Sequence, residues 1–189
     1  SITLRFKFNN KIENGSEAVG LLSLSTTETS NKYAVLGVKR NSETADQILF
    51  ERRSNFGPDI ATSSISLESN ILNNTNWHTL TYTFKETDTT NSNMTVYLDG
   101  QNVGNINVEY THFNKVTLGG VVVVDTNPLK YPMNGSMDIV QIHDQVINDD
   151  QIKELHTPTD VVELPEMTKL WEKGTKINSG EERDDPDGV

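Results

Sequence analysis

Residues 118–144 read LGGVVVVDTNPLKYPMNGSMDIVQIHD. Val121–Val124 form a run of β-branched side chains, which pack well on a pleated sheet and poorly in a helix. The Gly119-Gly120 pair before it reads as a strand kink. It lacks the spacing of a phosphate-binding loop. Tyr131-Pro132-Met133-Asn134-Gly135 reads as a turn, and 137–143 then alternate apolar and polar residues, the signature of a half-buried strand. The stretch therefore predicts strand, turn, strand, with the inward valines in a core. Whether it also forms one wall of a ligand site depends on the rest of the chain.

The same pattern repeats outward from this stretch. In ITLRFKF (2–8), Ile2, Leu4, Phe6 and Phe8 share one face, and Thr3, Arg5 and Lys7 the other. VGLLSLS (19–25), YAVLGVK (33–39) and DQILFER (46–52) read as three further strands. WHTLTYTF (77–84) places Leu80, Tyr82 and Phe84 on one face. MTVYLDG (94–100) ends in Asp-Gly, a strong short hairpin signal, and Gln-Asn-Val-Gly returns the chain. KVTLGGVVVV (115–124) and MDIVQIH (137–143) complete the set. Many short strands with almost no helix predict an all-β sandwich of antiparallel strands, a jelly roll.

One helix is predicted in VINDDQIKELH. Asn148 is its N-cap and Gln151 closes a capping box, Asp149 and Asp150 suit the positive end of the helix dipole, and Pro158 stops it. Beyond it the composition turns acidic and loses alternation. The expectation is a domain over 1–157 and, over 158–189, a linker leading into another domain.

Composition excludes several functions. The net charge of −11 and the absence of a basic stripe argue against nucleic acid and anionic membrane surfaces. With no cysteine there is neither a disulfide framework nor thiol catalysis. No apolar run is long enough to span a bilayer. The Asn-x-Ser/Thr sequons at Asn14, Asn73, Asn93 and Asn134 are near chance in so Asn-rich a chain.

No catalytic constellation is legible. His78, His112, His143 and His156 lack metal-ligand spacing. A jelly-roll glycosidase needs two carboxylates about 5–9 Å apart; Glu51 stands alone on its strand, and Glu181, Glu182, Asp184 and Asp185 lie in the acidic tail. Asp99, Asp125 and Asp138 near strand ends could serve calcium, but read more simply as turn residues. No metal and no cofactor is expected. Arg52 and Arg53 close a strand, and alternation sends them to opposite faces, so one could grip a carboxylate from a concave surface. The alternative is that both are solvated edge charges that discourage aggregation.

In order, NWHTLTYTF, MTVYLDGQNVG, VTLGG and YPMNGSMDIVQIHDQVINDDQIKEL resemble the concanavalin A-like jelly roll of lectins and laminin G-like modules. More closely, they resemble the sialic-acid-binding module (carbohydrate-binding module family 40) that precedes the catalytic propeller of many bacterial sialidases. TKLWEKGTKINSGEERDDPDGV resembles the lead-in to that propeller. The chain has no Asp-box, so no catalysis is expected in it; the resemblance implies a parent exo-α-sialidase.

The resemblance implies that the module binds terminal sialic acid, holds a secreted or cell-surface bacterial enzyme near sialylated glycans, and contacts the catalytic domain intramolecularly. It matches the family's first sialate-binding arginine to Arg52, with Arg53 as the register alternative, and its aromatic residue to Tyr131. The family's second arginine falls on Val121-Val122-Val123 and is missing. Losing a charge-assisted hydrogen bond costs about 1.5–3 kcal/mol, roughly tenfold to a hundredfold in affinity. Lys130 is the candidate for compensation.

Three readings compete with the lectin: a structural domain packed on a propeller without binding sugar, a laminin G-like protein-binding module, and a jelly-roll glycosidase. The lectin reading requires Arg52 and Tyr131 to converge on one concave surface; on opposite faces, it fails.

Overall fold

Apolar-polar alternation in the strands builds two five-stranded antiparallel sheets. The computed structural model describes residues 1–12, 18–25, 33–42, 45–53, 60–67, 72, 74–88, 91–109, 113–123 and 126–156. Its strands are β1 (Ile2–Phe8), β2 (Val19–Ser25), β3 (Tyr33–Ser42), β4 (Ala45–Arg53), β5 (Ile60–Ser66), β6 (His78–Glu86), β7 (Asn91–Leu98), β8 (Gln101–Glu109), β9 (Lys115–Leu118), β10 (Val121–Val123), β11 (Thr126–Lys130) and β12 (Gly135–Ile142). The first sheet runs β12-β1-β6-β7-β8 and the second β5-β4-β3-β2-β9, while β10 and β11 form a separate hairpin.

The two inner faces supply the core. From the first sheet come Leu4, Phe6, Leu80, Tyr82, Met94 and Val96; from the second, Leu22, Leu36, Val38, Ile48 and Phe50. The expected face of β6 is therefore the core face. β5 and β8 lie together at one edge of the sandwich. At Leu98 and Gln101 the β7–β8 hairpin closes through Asp99 and Gly100, both at positive φ (51° and 78°). A two-residue turn of this kind matches the strands' twist, which explains the Asp-Gly dipeptide.

Helix α1 (Asp149–His156) starts with the expected capping box: the Asn148 N–H donates to Gln151 Oε1 (2.9 Å), and the Gln151 N–H to Asn148 Oδ1 (3.0 Å). It lies over the outer face of the first sheet. The Tyr97 hydroxyl donates to Asp149 Oδ1 (2.9 Å), and Ile147 and Ile152 are buried. Thr3 and Thr81 are buried on that face too, their hydroxyls 3.0 Å apart.

Two expectations need amendment. The strand predicted over 115–124 is broken at Gly119, whose φ is 71°, into β9 and β10. β5 and β11 were not predicted: IATSSIS is mostly small and polar, and TNPLK contains a proline. Val124, Asp125, His112, Pro158 and the segment 158–189 lie outside the described residues. Among the described residues no helix is long and apolar enough to cross a membrane.

Candidate carbohydrate site

The outer face of the second sheet carries the candidate site. On β4, Ile48 and Phe50 point into the core, so alternation turns Leu49, Glu51 and Arg53 outward. Glu51 is opposite Val35 on β3 and Thr62 on β5; Arg53 is opposite Tyr33. Tyr33, Val35, Val121 and Tyr131 pack as a small apolar cluster there, separate from the main core.

The β10–β11 hairpin brings Tyr131 to this face. Val121 pairs with Lys130 and is completely buried. The backbone of Tyr131 is pinned by the Gly20 N–H donating to its carbonyl (2.9 Å). Gly20 permits that approach, since a Cβ there would meet Tyr131 O at 3.3 Å and Gly120 Cα at 3.2 Å. Tyr131 sits at φ 52°, a left-handed conformation that costs a non-glycine residue about 1–3 kcal/mol and recurs at functional sites.

These elements converge on Glu51, which is buried. Tyr33 Oη donates to Glu51 Oε1 at 2.8 Å, and Tyr131 Oη reaches Oε1 at 3.1 Å and Oε2 at 3.2 Å. Tyr33 keeps its proton: burial, then the hydrogen bond to Glu51 and the charges of Glu51 and Tyr131, push its pKa well above the usual phenol range, and Arg53 only partly offsets them. Beside the carboxylate opens a pocket of about 290 Å³, walled by Lys39, Leu49, Glu51, Thr62, Ser64 and Tyr131. Arg53 and Lys39 lie on this face, on either side of Glu51 along the strands. The arrangement offers a guanidinium for an anion, a carboxylate for a ligand N–H or O–H, and the partly exposed Tyr131 ring for apolar contact.

Arg52 does not belong to this group. It is opposite Ala34, a core residue, and is only 8% exposed. Arg52 and Tyr131 thus lie on opposite faces of the sheet, and a lectin reading built on Arg52 fails. The reason is alternation, which aligns Arg52 with Phe50 and Ile48. Arg53 shares the Tyr131 face. Lys130 is exposed at the end of the hairpin. Tyr33, Lys39 and the role of Glu51 were missed. The one available signal was that Glu51 and Arg53, two apart on a strand, must share a face.

The calcium alternative finds no cluster: among the described residues no group of three or more His, Asp or Glu is placed to hold a metal. Asp99 accepts from the Thr79 N–H and pairs with His78, each at 2.8 Å, and Asp138 pairs with Arg5 at 2.9 Å.

Comparison with known proteins defines the class. The family model of the concanavalin A-like lectin/glucanases superfamily matches residues 2–153, and the chain belongs to that superfamily. Among solved structures it is similar to the Ruminococcus gnavus IT-sialidase CBM40 bound to α2,3-sialyllactose. The TM-score is 0.59 at 17% identity, over 82% of this chain and 80% of that one. The same module bound to α2,6-sialyllactose gives a TM-score of 0.58 at 16% identity, over 82% and 81%. The Streptococcus pneumoniae NanB sialidase, in complex with 2-[(3-chlorobenzyl)ammonio]ethanesulfonate, gives 0.58 at 21% identity, over 81% of this chain but 23% of that protein. At these identities the likeness is one of fold. No curated protein matches by sequence.

Proposed function

We propose that this domain is a non-catalytic carbohydrate-binding module of a sialidase that recognises terminal sialic acid through the outer face of β3 and β4. The observation that carries the reading is the Glu51 carboxylate held by the Tyr33 and Tyr131 hydroxyls, with Arg53 next along the same strand face. Arg53 grips the sialate carboxylate, since a guanidinium fork matches a carboxylate bidentately. Tyr131 packs on the ring or glycerol arm, and Lys39 and Lys130 are accessory cations. One module of the same fold, that of the Ruminococcus gnavus IT-sialidase, is described with α2,3- and with α2,6-sialyllactose bound, which supports this ligand. In a secreted or cell-surface bacterial enzyme, such a module raises the local concentration of the catalytic domain on sialylated glycans.

Calorimetric titration with sialyllactose, with lactose as control, tests the reading. Heat with sialyllactose alone, weakened about tenfold or more by Arg53→Ala, supports it. Its absence at millimolar ligand overturns it in favour of a structural domain packed against a catalytic domain. One observation favours that second reading: the Val121-Val122-Val123 step, on which the resemblance's second arginine falls, opens with Val121 fully buried against the tyrosines.

A further inference from the structure

The pocket beside Glu51 extends to one side of it only. Alternation puts Gln47, Leu49, Glu51 and Arg53 in one row on the outer face of β4. The first three of these line the pocket, and Arg53 does not. Thr62 and Ser64, opposite Glu51 and Leu49 on β5, form one wall, and Lys39, opposite Gln47 on β3, stands at the far end. Along the strand the order is therefore guanidinium, carboxylate, then a pocket of about 290 Å³ bordered by hydroxyls and an ammonium.

That order has a direction which a sialic acid matches. Arg53 and Glu51 are two residues apart, about 6.7 Å along a strand. A sialic acid carries its carboxylate at C2 and its acylamino group at C5, at opposite ends of the pyranose ring. With the carboxylate on Arg53 and the ring along the strand, the C5 N–H meets Glu51. Glu51 has capacity to accept it: a carboxylate offers about four lone-pair positions, and Tyr33 and Tyr131 bring one hydroxyl proton each. The acyl group then continues past Glu51 into the pocket. An acetyl methyl there strips water from Lys39 and Ser64 and replaces none of their hydrogen bonds, which is unfavourable. A hydroxyl in its place restores them.

We infer that this pocket sets acyl specificity, and that the domain prefers a sialic acid whose C5 acyl group ends in a hydroxyl, N-glycolyl over N-acetyl. The Lys39 ammonium, a donor only, donates to the glycolyl oxygen, and the glycolyl proton goes to the Ser64 hydroxyl, which can accept it. Leu49 backs the methylene between them. This inference rests on the sialic-acid reading of the outer face and adds to it the choice between two sialic acids.

The test is calorimetric titration of the full chain with two α2,3-sialyllactoses that differ only in the acyl group, N-acetyl and N-glycolyl. The readout is the ratio of the two affinities, which a general loss of binding does not move. The N-glycolyl ligand is expected to bind about tenfold tighter, as a hydrogen bond from a charged donor gives. Lys39→Met should bring the ratio to about twofold or less, and Ser64→Ala, which removes a neutral partner, should lower it about threefold. A parent ratio of about twofold or less, or a preference for N-acetyl, overturns the acyl pocket and leaves the sialic-acid reading standing. A preference for N-glycolyl that neither variant lowers overturns its assignment to Lys39 and Ser64. Heat with neither ligand overturns the sialic-acid reading, and this inference with it.

Discussion

Arg52 and Arg53 are neighbours in the chain yet lie on opposite faces of the second sheet, Arg52 opposite Ala34 in the core and Arg53 opposite Tyr33 on the outer face. One residue of register therefore separates a packed arginine from one on the face that holds Glu51 and Tyr131.

The first prediction contrasts the two. Arg53→Ala is expected to weaken sialyllactose about tenfold to a hundredfold, the equivalent of one charge-assisted hydrogen bond of about 1.5–3 kcal/mol. Arg52→Ala should leave that affinity within twofold and instead lower the melting temperature, because its aliphatic stem packs in the interior. Calorimetry and thermal unfolding of both variants check this. The reverse pattern would return the site to Arg52.

The second prediction concerns the Glu51 clasp. Tyr33→Phe and Tyr131→Phe each remove a hydroxyl donor from a buried carboxylate. Each should destabilise the fold by about 1–3 kcal/mol. Together they strip Glu51 of both tyrosine hydroxyls, and the double variant should exceed the sum by about 0.5 kcal/mol or more, as contacting residues do. Adding Glu51→Gln should recover part of the loss, since a neutral amide costs less to bury. Urea unfolding of the set measures the coupling, and strict additivity would show that the hydroxyls act independently.

The sequence foretells most of this fold because most strands alternate cleanly. Ile2, Leu4, Phe6 and Phe8 face the core together, and the Asp99-Gly100 turn and the Asn148–Gln151 box stand where their chemistry requires. β5 and β11 escape because Ser, Thr and Pro carry little strand signal. The site is harder to read for a physical reason. The bond between Tyr131 and Glu51 spans 80 positions. It exists only once β3 and β4 are in register and the β10–β11 hairpin folds over them. Alternation alone already aligned Arg52 with Phe50, and that assigns it to the core. It could not supply Tyr33, which enters through its pairing with Arg53.

The third prediction is acid lability at the β7–β8 turn. Burial raises the Asp99 pKa, but the hydrogen bonds from His78 and the Thr79 N–H, with the charges of His78 and His156, outweigh it and leave the carboxyl below its usual 3.8. A depressed carboxylate stabilises the fold above its unfolded pKa, and that stability is lost as pH falls through the folded value. Stability should therefore drop as the pH is lowered below about 4, and Asp99→Asn should flatten this dependence while costing stability at pH 7. Urea midpoints between pH 2 and pH 7 decide it; an Asp99→Asn profile parallel to the parent's would exclude Asp99 as the source.

The fourth prediction isolates the helix start. Asn148→Ala removes one half of the capping box and should cost about 0.5–2 kcal/mol, whereas Asn148→Ser, which can still cap, should cost only a few tenths. Because α1 is tied to the first sheet by Tyr97–Asp149, the loss should appear in global unfolding as well as in amide exchange of residues 149–152. Exchange that rises there with no change in global stability would mean that α1 opens by itself.

The fifth prediction lies at alkaline pH. Burial pushes the Tyr82 phenol, inside the core, well above the usual range, and Tyr33 is raised by burial and by Glu51. The sign follows from proton binding. Above about pH 10 the unfolded chain has released these protons while the folded one retains them, so unfolding is favoured as pH rises. Of the five tyrosines in the chain, Tyr33 and Tyr82 should fail to ionise near pH 10 and should do so only with loss of the fold. Spectrophotometric titration, run beside near-ultraviolet circular dichroism, should show their ionisation coinciding with unfolding, and Tyr33→Phe should remove one phenol from that late phase. Ionisation of all five near pH 10 with the dichroism intact would mean that neither hydroxyl is sequestered, and the Glu51 clasp would fall with it.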